Sequence, residues 1–344
     1  MIIGSIILVF DMIYITPRFE AAYHGLQYSL LSNDPFDFTS PNPIRYRILP
    51  SLLGYLSFLR GDLFFIIPLI FALLLVSSIY WVYRKKEFSP VDSVLFTGLI
   101  AFSCTIYIQL VAPGYTDAVF YFFIFLSFSF VRNLYLSACF FCLALLTHES
   151  SLFMLPGLLL YAMYINGSSA VTFIKYIAAY IIALVPLLLY RYWVNQHIAV
   201  EFDLDLYFSE KNIDFAVSKM LPLLPAGLFY AFKLFWIFPL YALYISWKNK
   251  EYNFILLLMS IIVCNVLQVI IAFDITRMLC LGFPAILLGA EKVKSYWSKG
   301  KFTRFTMSLT AINFLVFQYV INSSGIDPLL PLPYTYIIGF FTGN

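Results

Sequence analysis

Charge is what this sequence has least of. Asp, Glu, Lys and Arg make up only 11% of the 344 residues, and three more are histidine. A soluble domain carries roughly a quarter charged residues and about 45 to 50% apolar ones. The 62% apolar content and a mean hydropathy of +0.87 therefore exclude a soluble globular enzyme. A basic stripe interleaved with aromatics is also missing, so nucleic acid is not an expected partner. The start, MIIGSIILVF, lacks a basic leader and a cleavage site and reads as an uncleaved first helix. The five cysteines (104, 139, 142, 264 and 280) all fall in apolar runs. The CxxC of Cys139 and Cys142 has no polar shell to suit zinc and reads as packing. No internal repeat or low-complexity tract is visible.

What is present is a succession of apolar runs read against the roughly 20 residues that a helical span needs, several of them shorter than that. They predict an all-α, polytopic membrane protein with about 11 spans, near 1–16, 63–83, 92–111, 118–131, 134–147, 151–165, 171–190, 223–246, 254–273, 275–290 and 303–321. Residues 1–344 then form a single transmembrane domain. Its long extracytoplasmic parts are a first loop at 17–62, a second at 191–222 and a tail at 322–344, where Pro328, Pro331 and Pro333 oppose a helix. The stretch 48–59 is short for a span and is expected to lie as a helix at the interface, a twelfth span being the alternative. Lysine and arginine set the orientation. With the amino terminus cytoplasmic, the inner loops receive Arg84 to Lys86, Arg132, Lys175, Lys248 with Lys250, and the cluster from Lys292 to Arg304.

The outer face then collects nearly every other ionisable residue close to a span end. Such groups are expensive at membrane depth and mark functional cavities. In the first loop Glu20, His24 and Tyr28 recur every four residues, which puts them on one helical face. The helix is expected to lie on the bilayer surface with its polar side outward. Glu20 or His24 could serve there as a general base, or the face could simply be solvated. After Asn33-Asp34-Pro35 ends that helix, an extended strap leads to Arg45 and Arg47, whose planar forks suit a lipid phosphate. Snorkelling toward headgroups is the plainer alternative.

Further along, Asp117 opens an aromatic span, as a cavity residue or as a helix cap. His148 and Glu149 sit between two apolar segments, where burial without a purpose would be costly. Asp274 and Arg277, three apart, can pair. Asp203 and Asp205 in EFDLDLYF are a weak DxD, better read as part of a solvated, substrate-facing loop. No resident cofactor or metal is expected, with a divalent cation left open. Asp11 stands inside the first span, either in the cavity or paired with another helix.

The ordered pieces YSLLSNDPF, RYRILPSLLGYL, GYTDAVFYFF, LALLTHESSLFMLPG and DITRMLCLGFP resemble bacterial GT-C-type glycosyltransferases. These are polytopic enzymes that take sugar from a polyprenyl-phosphate carrier on the extracytoplasmic side. The resemblance covers the first half of the chain and one later turn. It implies a polyprenyl-phosphate-linked donor, a glycan or lipid acceptor, and a place in the bacterial inner membrane with the active face periplasmic. It also implies Glu20 as catalytic base and Arg45, Arg47 and Arg277 near the donor phosphate; the outer-face topology adds Tyr28, Asp117, His148, Glu149 and Asp274 as the expected lining of the substrate cavity. One departure stands out: relatives place an aspartate a few residues before the equivalent of Tyr28, where this chain has His24 and Gly25. Glu20 replaces it one turn earlier, or His24 takes part, or the usual chemistry is lost. A polymerase or ligase of lipid-linked glycans shares these features. A transporter or flippase should add repeats or paired interrupted helices, and the sequence shows neither.

Overall fold

The computed structural model describes residues 1–331 apart from 16, 18, 22, 23, 38–42, 199–208, 271–273, 323, 324 and 330; the side chains at 43, 211 and 270 are also set aside. In chain order the helices are α1 (Ile2–Tyr14), α2 (His24–Asn33), α3 (Ile48–Leu56), α4 (Ile66–Lys85), α5 (Pro90–Ala101), α6 (Cys104–Val111), α7 (Asp117–Ser129), α8 (Leu134–Thr147) and α9 (Leu155–Asn166). They continue as α10 (Ala170–Asn195), α11 (Glu210–Phe215), α12 (Leu224–Phe232), α13 (Ile237–Lys248), α14 (Tyr252–Leu267), α15 (Ile275–Leu279), α16 (Phe283–Tyr296) and α17 (Lys299–Leu315). An antiparallel hairpin follows, β1 (Gln318–Asn322) with β2 (Gly325–Leu329). The fold is all-α but for this hairpin, which occupies the end of the last expected span and the start of the tail.

Among the described residues, three helical stretches are long and apolar enough to cross a membrane: Gly61–Lys85, Ala170–Asn195 and Asn212–Lys248. The pair α5 and α6 makes a fourth if it counts as one span bent by 55°. That marks the chain as a membrane protein. The helices α1, α7, α8 and α14 are apolar but shorter.

Two helical stretches of the first unit are interrupted. At the α5–α6 break, the Ser103 hydroxyl donates to Ile100 O at 2.7 Å and accepts from Thr105 N at 3.3 Å. A side chain thereby replaces part of the backbone ladder. The long 212–248 stretch is interrupted at Lys233, which takes the left-handed φ of 48°.

The chain divides into two compact units. One comprises Met1–Arg18, Leu73–Val111 and Glu210–Asn344; the other comprises Phe19–Ala72 and Ala112–Ser209.

In the second unit α7 is buried nearly all round, as its apolar sequence with aromatics on every face requires. It packs on α8, and α8 packs on α10. Ser127 and Ser137 donate to each other's carbonyls at 2.9 Å, and the Ser137 hydroxyl meets Tyr180 at 2.8 Å. Small hydroxyl residues thus join the helices where an apolar solvent would leave polar atoms unsatisfied.

In the helix α2, Tyr28, Ser29, Leu31 and Ser32 are buried, while His24 is exposed and Leu26 and Leu30 are 54% and 69% exposed. Hydrogen bonds hold the buried side in place. Ser29 donates to Gly61 O at 2.7 Å, the Gly61 N–H donates to Ser32 at 2.9 Å, and the Tyr28 ring stacks on Phe64. Gly25 sets the depth of α2, since a Cβ there would stand 2.4 Å from the Pro113 carbonyl oxygen. Gly114 beside it has a φ of 91°, which glycine adopts without strain. At nine residues, α3 is about 13 Å long and too short to cross; it packs on α2 and α8.

In the first unit α13 meets α16 at Gly289, where a Cβ would lie 2.6 Å from Pro239 N. Basic residues of separate loops meet acids here. Lys86 pairs with Glu291 at 2.5 Å, Lys294 with Asp92 at 2.8 Å, and Lys292 with Glu251.

Candidate functional site

The densest polar cluster of the second unit begins with Arg47, the residue just before α3. Its Nε donates to Glu149 Oε2 at 2.9 Å and its Nη2 to Glu149 Oε1 at 2.6 Å. This is the two-pronged geometry that the planar guanidinium offers a carboxylate. Nη1 reaches toward the Tyr28 hydroxyl at 3.5 Å, and Thr116 also hydrogen-bonds that hydroxyl. Tyr28 itself is only 2% exposed. A second guanidinium, Arg191 near the end of α10, stands 3.8 Å from Glu149 Oε2 and 5.4 Å from the centre of the Tyr46 ring. Its Nε is buried and has no acceptor among the described residues.

Two tyrosines fasten the strap of Arg45 and Arg47 to α10. Tyr190 donates to the Arg45 carbonyl at 2.9 Å, and Tyr46 donates to Asn195 Oδ1 at 2.5 Å. Arg45 is itself buried.

Electrostatics follow from this arrangement. Burial pushes the Glu149 carboxyl up, but the Arg47 guanidinium outweighs it and holds the group well below the usual carboxylate range. For Arg47, burial works against the charge, while Glu149 and Tyr28 favour it; the net shift is upward. Burial raises Tyr28, with Arg47 opposing. A carboxylate fixed in this way is a poor proton acceptor near neutral pH. The His148 Nδ1 accepts the Ser150 N–H at 3.2 Å and lies 3.9 Å from Glu149 Oε2.

Several residues expected at the site thus come together within one unit: Tyr28, Arg47 and Glu149 in direct contact, with Arg45 in the same strap and His148 next to Glu149. Asp117 is buried in the first turn of α7, directly after Thr116. It is not the helix cap, a position Thr116 holds. His24 opens α2 on the exposed side, with Nδ1 3.4 Å from Gln27 Oε1 and its ring 5.8 Å from that of Tyr115. Glu20 lies before α2 in an exposed bend, so the four-residue spacing does not place it on the helical face of His24 and Tyr28.

Asp274 and Arg277 belong to the first unit, where they pair with each other at 3.1 Å. Asp11 is there too. It is fully buried, and its two carboxylate oxygens have no partner among the described residues. Asp203 and Asp205, with Glu201 and the end of the tail beyond 331, lie outside the described residues. Among the described residues no three His, Cys, Asp or Glu side chains gather as metal ligands do.

Sequence reading missed Arg191, Thr116, Tyr46, Tyr190 and Asn195. The available signal was RYW at the end of a 26-residue apolar helix, where an arginine is easily taken for the start of a loop. Comparison with protein-family models, curated proteins and solved structures finds no match to this chain.

Proposed function

We propose that the protein is a membrane glycosyltransferase of the GT-C type, moving a sugar from a polyprenyl-phosphate donor to a glycan or lipid hydroxyl on the extracytoplasmic face. The observation that carries the reading is the guanidinium cluster of the second unit: Arg47 and Arg191 converge on one carboxylate, and Arg45 is held in the same strap. Paired guanidiniums fit a phosphate ester better than any neutral substrate. In the transfer, the bond from the sugar C1 to the phosphate oxygen breaks and C1 bonds to the acceptor oxygen. The acceptor proton passes to a base, and the carrier leaves as a phosphate whose growing charge the arginines balance.

Glu149 is committed to Arg47, so the base is sought in α2 and just before it. His24 stands one helical turn from Tyr28, and Glu20 lies four residues earlier in the segment that the resemblance favours. An eleven-span topology with a cytoplasmic amino terminus accompanies this reading. The joining of the 84–92, 249–251 and 291–304 segments by ion pairs within one unit is what loops sharing one side would do.

A transporter or flippase of lipid-linked sugars is the second reading, favoured by the α5–α6 bend and the Lys233 interruption through the link between discontinuous helices and transport. One assay separates the two. Purified protein is given a polyprenyl-phosphate sugar and an acceptor, and wild type is compared with Glu20→Gln and His24→Asn. Consumption of the donor supports the transferase, and the variant that abolishes it identifies the base. An intact donor that changes leaflet in vesicles would replace the transferase with the flippase.

A further inference from the structure

We propose that Glu149 is an internal stand-in for the ligand's anionic head, holding Arg47 and Arg191 in place until a phosphate ester displaces it. The inference rests on the phosphate reading above and adds a regulatory step to it. Its basis is how the guanidinium donors of Arg47 are used. The Nε and Nη2 fork is taken by Glu149 at 2.9 and 2.6 Å, and Nη1 faces Tyr28 at 3.5 Å. A phosphate seeking the same fork meets a carboxylate already in it, and two anions on one fork repel.

Arg191 shows what the cradle lacks in this state. It stands 3.8 Å from the same carboxylate, and its buried Nε has no acceptor among the described residues. A carboxylate has two oxygens and one charge, and the phosphodiester of an intact donor offers no more; the carrier monophosphate that transfer releases has three free oxygens and up to two charges, so it is the species that displaces Glu149. The larger anion satisfies both guanidiniums at once, whereas Glu149 satisfies one and only approaches the other. The Glu149 side chain is also 32% exposed, so it has a route out of the fork.

The alternative role for Glu149 is permanent: an orienting partner that keeps Arg47 aimed while the ligand binds elsewhere on the guanidinium. The two roles predict opposite signs for one substitution. Calorimetric titration of the full-length protein in detergent uses farnesyl monophosphate as probe, with farnesol and inorganic phosphate as separate arms. Displacement predicts that Glu149→Gln, and equally Glu149→Ser, binds farnesyl monophosphate about tenfold more tightly than wild type, because a like charge no longer competes. Arg191→Gln then weakens binding in both backgrounds. Farnesol shows no gain from Glu149→Gln, which assigns the effect to the phosphate. Inorganic phosphate gains in proportion if the head alone is recognised; a gain restricted to the farnesyl ester places the site at the lipid headgroup.

Equal or weaker binding by both Glu149 variants, with binding still dependent on Arg47, overturns the displacement idea and leaves the phosphate site standing. Binding that ignores Arg47 and Arg191 altogether overturns both. Near-ultraviolet circular dichroism of each variant accompanies the titration, and the Glu149→Ser arm stands in should Glu149→Gln lose its fold.

Discussion

Glu149 and Asp11 are two carboxylates in two different units, and their surroundings are opposites. Glu149 has a bidentate guanidinium, a second guanidinium close by and a partial opening to solvent. Asp11 is fully buried among helices, with neither oxygen matched by a donor among the described residues. A buried carboxylate that keeps its charge needs partners, and one without them is a net cost to the fold. The polar cluster of the second unit is therefore built to hold charge, whereas the first unit tolerates a polar group that it does not stabilise.

The strongest way to break this comparison is to remove the platform that brings Tyr28 to Arg47. Gly25→Val forces side-chain atoms into the Pro113 carbonyl and should destabilise the protein by about 3 kcal/mol, read as loss of folded protein in detergent. Retention of a wild-type thermal midpoint would mean that α2 is not seated as described. Next comes Arg47→Met, which leaves Glu149 with only the more distant Arg191. Donor turnover should fall by at least about a hundredfold, and thermal stability by about 1 to 2 kcal/mol, a figure reduced because Glu149 is about a third open to solvent.

The comparison sharpens with a matched pair of substitutions. Asp11→Leu should leave stability unchanged or raise it by about 1 kcal/mol, since it removes a desolvated group without partners. Glu149→Leu should lower stability by a similar amount, because it strands Arg47. Thermal melts of both variants in one detergent decide; the same sign for the two would erase the distinction.

The smallest effect is on pH dependence. The Glu149 carboxyl titrates below its unfolded value, so its contribution is complete above about pH 4.3 and disappears as pH falls through the lowered folded value. The melting midpoint should be flat in this respect from about pH 5 to 8, and Glu149→Gln should show a shallower acid decline than wild type.

Much of this arrangement was legible in the sequence. Apolar runs mark the helices well, because the demand for satisfied backbone groups in an apolar solvent leaves few other structures. The basic loops were legible too, and lysines from two of them, Lys86 and then Lys292 with Lys294, meet acids within one unit. His148 and Glu149 were recognisable because two adjacent ionisable residues between apolar segments need a reason to be there.

The pattern misled where the meaning of polar and apolar faces reverses. In water the leucines of α2 would turn inward; here Leu26 and Leu30 face out and the serines tie down the Gly61 turn. Arg191 was hidden by a boundary rule that treats charge as the end of a helix, although α10 continues to Asn195. The bend between α5 and α6 depends on one serine hydroxyl, and no periodicity records that.

The measurement that bears most directly on the central claim is single-turnover consumption of a polyprenyl-phosphate sugar by purified protein, wild type beside Arg47→Met and Arg191→Gln. The account predicts sugar transferred and carrier phosphate released by wild type, with both variants strongly impaired. Turnover by both variants at the wild-type rate would contradict it, as would a donor left intact by wild type in the presence of competent acceptors.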